Sequence, residues 1–191
     1  GGISLRYSDP ILTNVTFSGN MVEFGLGGGM YLEFSSPTLT DVTFNGNTTD
    51  VTFSGNAGSA GGGMYLHQSS PTLTDVTFSD NTATYAGGMG LTYSNPNLTG
   101  VTFSGNTADN CGGMCLLASS PTLTNSIVWG NLPDEIILRD RDEWTSSITI
   151  TYSDIQGGEA GIVTNDNGTV FWGDGNMDAN PLFCDTESGD F

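Results

Sequence analysis

Asp174, Asn176 and Asp178, in the run DGNMD, put three oxygen-bearing side chains at alternate positions near the end of the chain. Hard oxygens at that spacing can be aimed at one calcium ion, and the NDN run at Asn165 to Asn167 could add more. The twelve-residue calcium-loop signature is not completed, because Asp185 stands where Glu is required and Ala179 where Gly is required. A polar turn without metal is the competing reading, and Ca2+ is the one cofactor the sequence admits. Acid–base chemistry has fewer resources. Arg6 and His67 are the only basic side chains in the first 131 residues, while Arg139 and Arg141 sit in the acidic run LPDEIILRDRDEW, which reads as a solvated loop. No catalytic residue is assigned.

Two repeated features could bind rather than react. Thr-Leu-Thr occurs at Thr38 and Thr40, at Thr72 and Thr74, and at Thr122 and Thr124. On an extended segment Leu points one way and both Thr the other, so stacked copies present a grid of hydroxyls and methyls like that of an ice-binding face. Ile11 and Asn97 interrupt it, and Thr also simply suits an exposed strand. Tyr31 and Tyr65, with Phe34 and Tyr93 on the adjoining bend, could stack on sugar rings or shield strand edges.

All of these residues lie within one repeat. SSPTLTDVTF at Ser35 to Phe44 recurs unchanged at Ser69 to Phe78, and Pro10, Pro37, Pro71, Pro96 and Pro121 follow one another at 27, 34, 25 and 25 residues. A Gly-Gly step precedes each Pro, and Val-Thr-Phe or a near copy follows it. Apolar residues alternate with period 2 in short bursts separated by Gly, Ser, Asn and Pro, which predicts three short strands per unit of about 25 residues.

The expected fold is all-β: a right-handed parallel β-helix, or solenoid, of six or seven coils. Like residues then lie over like. Met30, Met64, Met89 and Met114 form one stack, and Leu5, Leu32, Leu66, Leu91 and Leu116 another. Phe17, Phe44, Phe78 and Phe103 form a third, and Asn20, Asn81, Asn106 and Asn131 make a turn column whose amides bond from coil to coil. Arg6 and His67 share an outward column with Glu33, Thr92 and Leu117. DVTFNGN at Asp41 is followed nine residues later by DVTFSGN at Asp50, so one copy must loop out. Residues 1–191 read as one β-helix domain, with regular coils over 1–131 and irregular capping coils over 132–191.

Composition sets limits. Twenty-one Asp and Glu against three Lys and Arg give a net charge of -18, which repels nucleic acid and anionic membranes. No apolar run is long enough to span a bilayer, so neither nucleic acid nor membrane insertion is expected. Three Cys leave at least one unpaired. If the segment from Cys111 to Cys115 is extended, their Cα atoms stand roughly 13 Å apart, too far for a disulfide. The state of Cys184 and the use of the Asn-x-Ser/Thr sequons at Asn14, Asn47, Asn97 and Asn167 stay open.

The units FSGNTADNCGGM and GGGMYLHQSSPTLTDVTFSDN resemble the parallel β-helix repeats of the pectate-lyase-like superfamily. They are also similar to the Phe-x-x-Asn and Gly-Gly-apolar repeats of bacterial polymorphic outer-membrane proteins and related surface adhesins. The tail YSDIQGG and GNMDANPLFCDTESGDF resembles the end of secreted bacterial β-helix proteins. The resemblance implies a secreted or cell-surface protein whose partners are further coils or other copies at its ends, and glycans. It leaves three functions to weigh: a non-enzymatic extracellular scaffold (adhesin, spike or filament subunit), a carbohydrate-binding or carbohydrate-active module related to polysaccharide lyases, and an ice-binding surface. Lyases of that fold use an Arg or Lys base, which the repeat supplies only as Arg6.

Overall fold

In the computed structural model the chain winds into a parallel β-solenoid of about six turns, with strands stacked about 26 residues apart. The structure describes residues 1–22, 25–49, 61–139, 143–165 and 168–183. One side is a seven-stranded parallel sheet, in spatial order Ile3–Arg6, Met30–Glu33, Met64–His67, Met89–Thr92, Met114–Leu117, Ile136–Arg139 and Val163–Thr164. A ten-stranded sheet carries the Thr-Leu-Thr and Val-Thr-Phe segments, including Thr38–Asn45 and Thr72–Ser79. A third side is built from two-residue strands such as Thr82–Ala83 and Thr107–Ala108.

The register pairs Met30 with Met64, Met64 with Met89 and Met89 with Met114, and it pairs the leucines of the next column in the same way. These side chains, with Leu39, Val42, Phe44 and their equivalents, form one continuous buried core. The Phe17, Phe44, Phe78 and Phe103 rings stack nearly parallel, with centroids 4.9, 4.8 and 4.7 Å apart. Each such pair contributes about 1 kcal/mol beyond its area burial. The stack explains the second glycine of each Gly-Gly step. A Cβ at Gly88 would stand 2.8 Å from Phe103 Cδ1 and 2.8 Å from the Gly113 carbonyl oxygen, so any larger residue displaces both the ring and the next coil.

Coils turn at residues in the left-handed region, which recur in columns: Asn14, Asp41, Asp75, Gly100 and Asn125 form one, and Tyr7, Phe34, Gln68, Tyr93 and Ala118 another. Bulky residues pay a steric penalty there, and the surrounding hydrogen bonds hold them in place. Ser8, Ser35, Ser69, Ser94, Ser119 and Ser146 follow the second column. Each Oγ after Ser8 accepts the backbone N–H of the preceding serine in the row.

The asparagine column is continuous and has a member beyond the four predicted. Asn47 Oδ1 accepts from the Asn20 amide at 2.8 Å, Asn81 Oδ1 from Asn47 at 3.0 Å, Asn106 Oδ1 from Asn81 at 2.9 Å, and Asn131 Oδ1 from Asn106 at 2.8 Å. The same Oδ1 atoms accept the backbone N–H of the preceding asparagine, and the Nδ2 groups of Asn47, Asn81, Asn106 and Asn131 also donate to the Phe17, Phe44, Phe78 and Phe103 carbonyls. Asn131 in turn donates to the buried carboxylate of Glu135, which closes the row. Asn47 resolves the duplication: the copy at Asp41 is in register, with Val42 on Val76 and Phe44 on Phe78, while the copy at Asp50 lies outside the described residues.

Two readings need correction. Arg139 is not in a solvated loop; it ends the strand Ile136–Arg139, opposite Leu117, so the column of Arg6, Glu33, His67, Thr92 and Leu117 extends to it. The run of apolar residues Ile136 to Leu138 pulls the strand inward despite its acidic flanks. The segment from Cys111 to Cys115 is not extended either: it bends at Gly112 and Gly113, so the 13 Å separation does not apply. Both thiols are free and buried.

Burial raises the Glu135 pKa above its ordinary 4.5, against hydrogen bonds from Asn131 and Gly130 that lower it. A carboxyl with a raised folded pKa contributes stability that is present below the unfolded value and lost as pH rises through the folded one. Glu135→Gln keeps an acceptor for Asn131 and removes the titration. Urea midpoints of the two proteins are therefore expected to diverge in the variant's favour as pH is raised from about 4 to 7; a constant difference across that range would refute the assignment.

Candidate functional site

The threonines form two parallel outward rows on the ten-stranded sheet. One reads Ile11, Thr38, Thr72, Asn97, Thr122, Thr149 and Phe171; the other reads Thr13, Thr40, Thr74, Thr99, Thr124 and Thr151. The first row is interrupted as expected, whereas the second is an unbroken run of threonine, and the last coils extend both. Hydroxyls bond along the rows, Thr122 to Asn97 at 2.9 Å and Thr124 with Thr151 at 3.1 Å. Those hydroxyls are thus engaged with neighbouring coils as well as with solvent.

The tyrosines separate. Tyr31 and Tyr65 stack at 5.9 Å, but Tyr65 is only 5% exposed and its hydroxyl bonds Thr92 at 3.0 Å. Its ring is therefore not available to an external sugar, which removes it from the expected binding row. Tyr31 is half-buried, and burial, with the Glu33 charge in the same sense, raises its phenol pKa. Phe34 lies on Tyr7 at 5.0 Å, and Tyr93 meets Trp144 edge-on at 6.2 Å. These aromatics pack on one another along the coils.

At the DGNMD run, alternate spacing serves hydrogen bonding. Asn176 Oδ1 accepts the Ser153 N–H at 3.0 Å, and its Nδ2 donates to the Ile150 and Gly173 carbonyls. Asp178 Oδ1 accepts the Gly157 N–H at 3.1 Å, and the Asp174 carbonyl accepts from Tyr152. Asn176 thereby ends a row that runs from Val101 through Ser126 and Ser153. Among the described residues no group of three or more His, Cys, Asp or Glu is placed to hold a metal ion.

The basic groups are spread along one column. Arg6 pairs with Glu33 at 3.0 Å on the surface, Phe34 meets His67 edge-on, and Arg139 donates to Asn110 at 3.0 Å with its guanidinium over Tyr85. Arg141 lies outside the described residues. This column joins no carboxylate pair to an imidazole.

A cleft of about 570 Å³ was not anticipated. Trp129, Asp80 and Ser104, with Gly105 and Gly130, form one side, and Asn180, Leu182 and Phe183 of the returning C-terminal segment form the other. Trp129 occupies a column that is otherwise Ser18, Asn45, Ser79 and Ser104. That exception was visible in the repeat, where TFS gives way to IVW. The segment that closes the cleft has no counterpart in earlier units. Burial raises the Asp80 pKa.

Parallel coils with stacked Met, Leu, Val and Phe columns and hydrogen-bonded Asn corners define a β-helix repeat protein. The family described as Right handed beta helix region matches residues 47–180, more than half of the chain, and the chain belongs to that family. No curated protein matches the chain.

Because Asn176 satisfies one donor and two carbonyls of its neighbours, Asn176→Ala is expected to cost about 2–3 kcal/mol in urea unfolding. The loss should be equal in excess calcium and in excess chelator. A loss confined to the calcium arm would restore the metal reading.

Proposed function

We propose that the chain is a non-enzymatic extracellular β-solenoid scaffold, in the sense of an adhesin stalk, surface spike or filament subunit. One observation supports this reading: the Asn and Ser side chains of the repeat are engaged in hydrogen bonds between successive coils, through the rows from Asn20 to Glu135 and from Ser8 to Ser146. Polar groups spent in this way set register. What remains outward on the strands is a repeated face of Thr with few charges, suited to contact rather than catalysis. The net charge of -18 keeps such a surface soluble and disfavours acidic partners. The family hosts enzymes and non-enzymes alike, so the site and not the fold must decide. Incubation with pectate or alginate plus calcium is expected to give no ultraviolet absorbance rise from unsaturated product. Steady turnover abolished by Arg139→Ala would overturn the reading.

A second reading, a carbohydrate-binding module, is favoured by the cleft. Trp129 lines it with an aromatic ring, while Asp80, Ser104 and Asn180 bring hydrogen-bonding groups. The Asp80 carboxylate and the overall charge point to neutral rather than acidic sugars. Calorimetric titration with a panel of neutral oligosaccharides is expected to find binding that Trp129→Ala weakens roughly tenfold, the size of one lost stacking contact. Indifference to that substitution would eliminate the cleft as the site.

A further inference from the structure

Cys111 and Cys115 belong to different parts of the coil. Cys111 forms the bridge that precedes the Gly112–Gly113 bend, level with Ala86, while Cys115 is on the outward side of Met114–Leu117, level with Gly90 and Ile137. The bend brings them together. Cys111 Sγ lies 2.7 Å from the Met114 carbonyl oxygen, the carbonyl bonded directly to the Cys115 nitrogen. The direction is a property of the position. At Gly61, its equivalent in an earlier coil, an added Cβ would be driven onto the Met64 carbonyl in the same way. Cys111, Cys115, Ala86 and Ile137 pack as one small cluster apart from the main core, with Cys111 0% and Cys115 1% exposed.

From this geometry we propose that Cys111 and Cys115 are a disulfide-forming pair that staples the outer bend of their coil. The inference is independent of the scaffold reading. The oxidant is a low-molecular-weight disulfide such as oxidised glutathione. Cys115, as thiolate, attacks one of its sulfurs, forming a mixed disulfide and expelling one glutathione thiolate. Cys111 then attacks the Cys115 sulfur, the protein disulfide forms, and the second glutathione leaves. The two protein protons and the two electrons end on two reduced glutathione molecules. The order of attack follows from the surroundings. The hydrogen bond from Cys111 lowers the Cys115 pKa against the effect of burial, with the Arg139 charge helping, while burial raises that of Cys111. Since both sulfurs are buried, exchange proceeds through local opening of the bend, and the product is then shielded from reductant.

Met114 lies between the two cysteines and makes the test unambiguous. The whole chain is incubated natively with oxidised glutathione, quenched in denaturant with a thiol-alkylating reagent, and cleaved after methionine with cyanogen bromide. The three cysteines then fall on separate fragments, Gly90 to Met114, Cys115 to Met177 and Asp178 to Phe191. The expected product is the first fragment joined to the second, unalkylated and separating on reduction, with the third fragment alkylated at Cys184. All three fragments free and alkylated, or the third fragment linked to either of the others, would overturn the proposal. A parallel run on Cys184→Ser should give the same joined pair.

Discussion

A coil leaves its sheets at every corner, and there a backbone N–H faces the next coil with no carbonyl opposite it. A buried donor left in that state costs about 1–3 kcal/mol, and it would recur on every turn. The asparagine column removes the problem. Each interior Oδ1 accepts both the backbone and the side-chain N–H of the preceding asparagine, while Nδ2 reaches back to a phenylalanine carbonyl and forward to the next amide. One residue thus ties three coils at a fixed height. Its position three residues past each stacked Phe is why rings 4.7–4.9 Å apart lie over one another. A slip of one residue would turn every inward side chain outward and break the row in the same step, so packing and hydrogen bonding select one register together.

The row also has a direction. Each side-chain amide up to Asn106 donates to the Oδ1 of the asparagine one coil later, and from Asn47 onward also back to a phenylalanine carbonyl, so the forward series must end on an acceptor. Glu135 supplies it from within the same turn, four residues after Asn131, because the chain there no longer offers an asparagine one coil on. A carboxylate in such a place is desolvated and simultaneously stabilised by the donors aimed at it. Among the described residues the serine row runs to Ser146, whose hydroxyl donates a hydrogen bond to the Arg139 carbonyl. Neutral hydroxyls relay the bond onward, whereas the amide row ends on an acceptor, the Glu135 carboxyl.

Columns of identical apolar residues were legible from sequence because burial on the inner face admits few substitutes, so Met, Leu, Val and Phe recur at fixed offsets. The asparagine corner was legible for the same reason. What escaped was whatever depends on a bend or on depth. Asn47 was hidden by two competing copies of one motif, and only pairing with Val76 and Phe78 selects between them. The burial of Tyr65 cannot be inferred from an outward strand position, since alternation says which face a residue occupies and not what lies over that face. Arg139 has charged neighbours in sequence, but its apolar predecessors Ile136 to Leu138 govern its place. Between Cys111 and Cys115 lie two glycines, the residues least bound to stay straight, so an extended-chain separation does not hold there. The first serine of each Ser-Ser-Pro carries a hydrogen-bonded row of its own, which its place among the Gly, Ser, Asn and Pro between the apolar bursts does not reveal.

In a protein built by repetition, the repeated positions are constrained by the neighbours above and below, and a residue there answers to stacking first. Freedom to do something else lies where a column changes identity. Trp129 replaces serine in an outward row, Cys115 replaces Tyr and Gly, and Arg139 stands in a column that begins with Arg6 and Glu33. All three fall in the last regular coil or just after it, and Trp129 lines a cleft with Asn180, Leu182 and Phe183 of the C-terminal segment. A uniform solenoid has translational sameness along its axis and offers any ligand several equivalent seats. Breaking the columns on one side, near one end, makes a single seat unlike the rest, which is the condition a scaffold must meet before it can recognise a partner at a defined place.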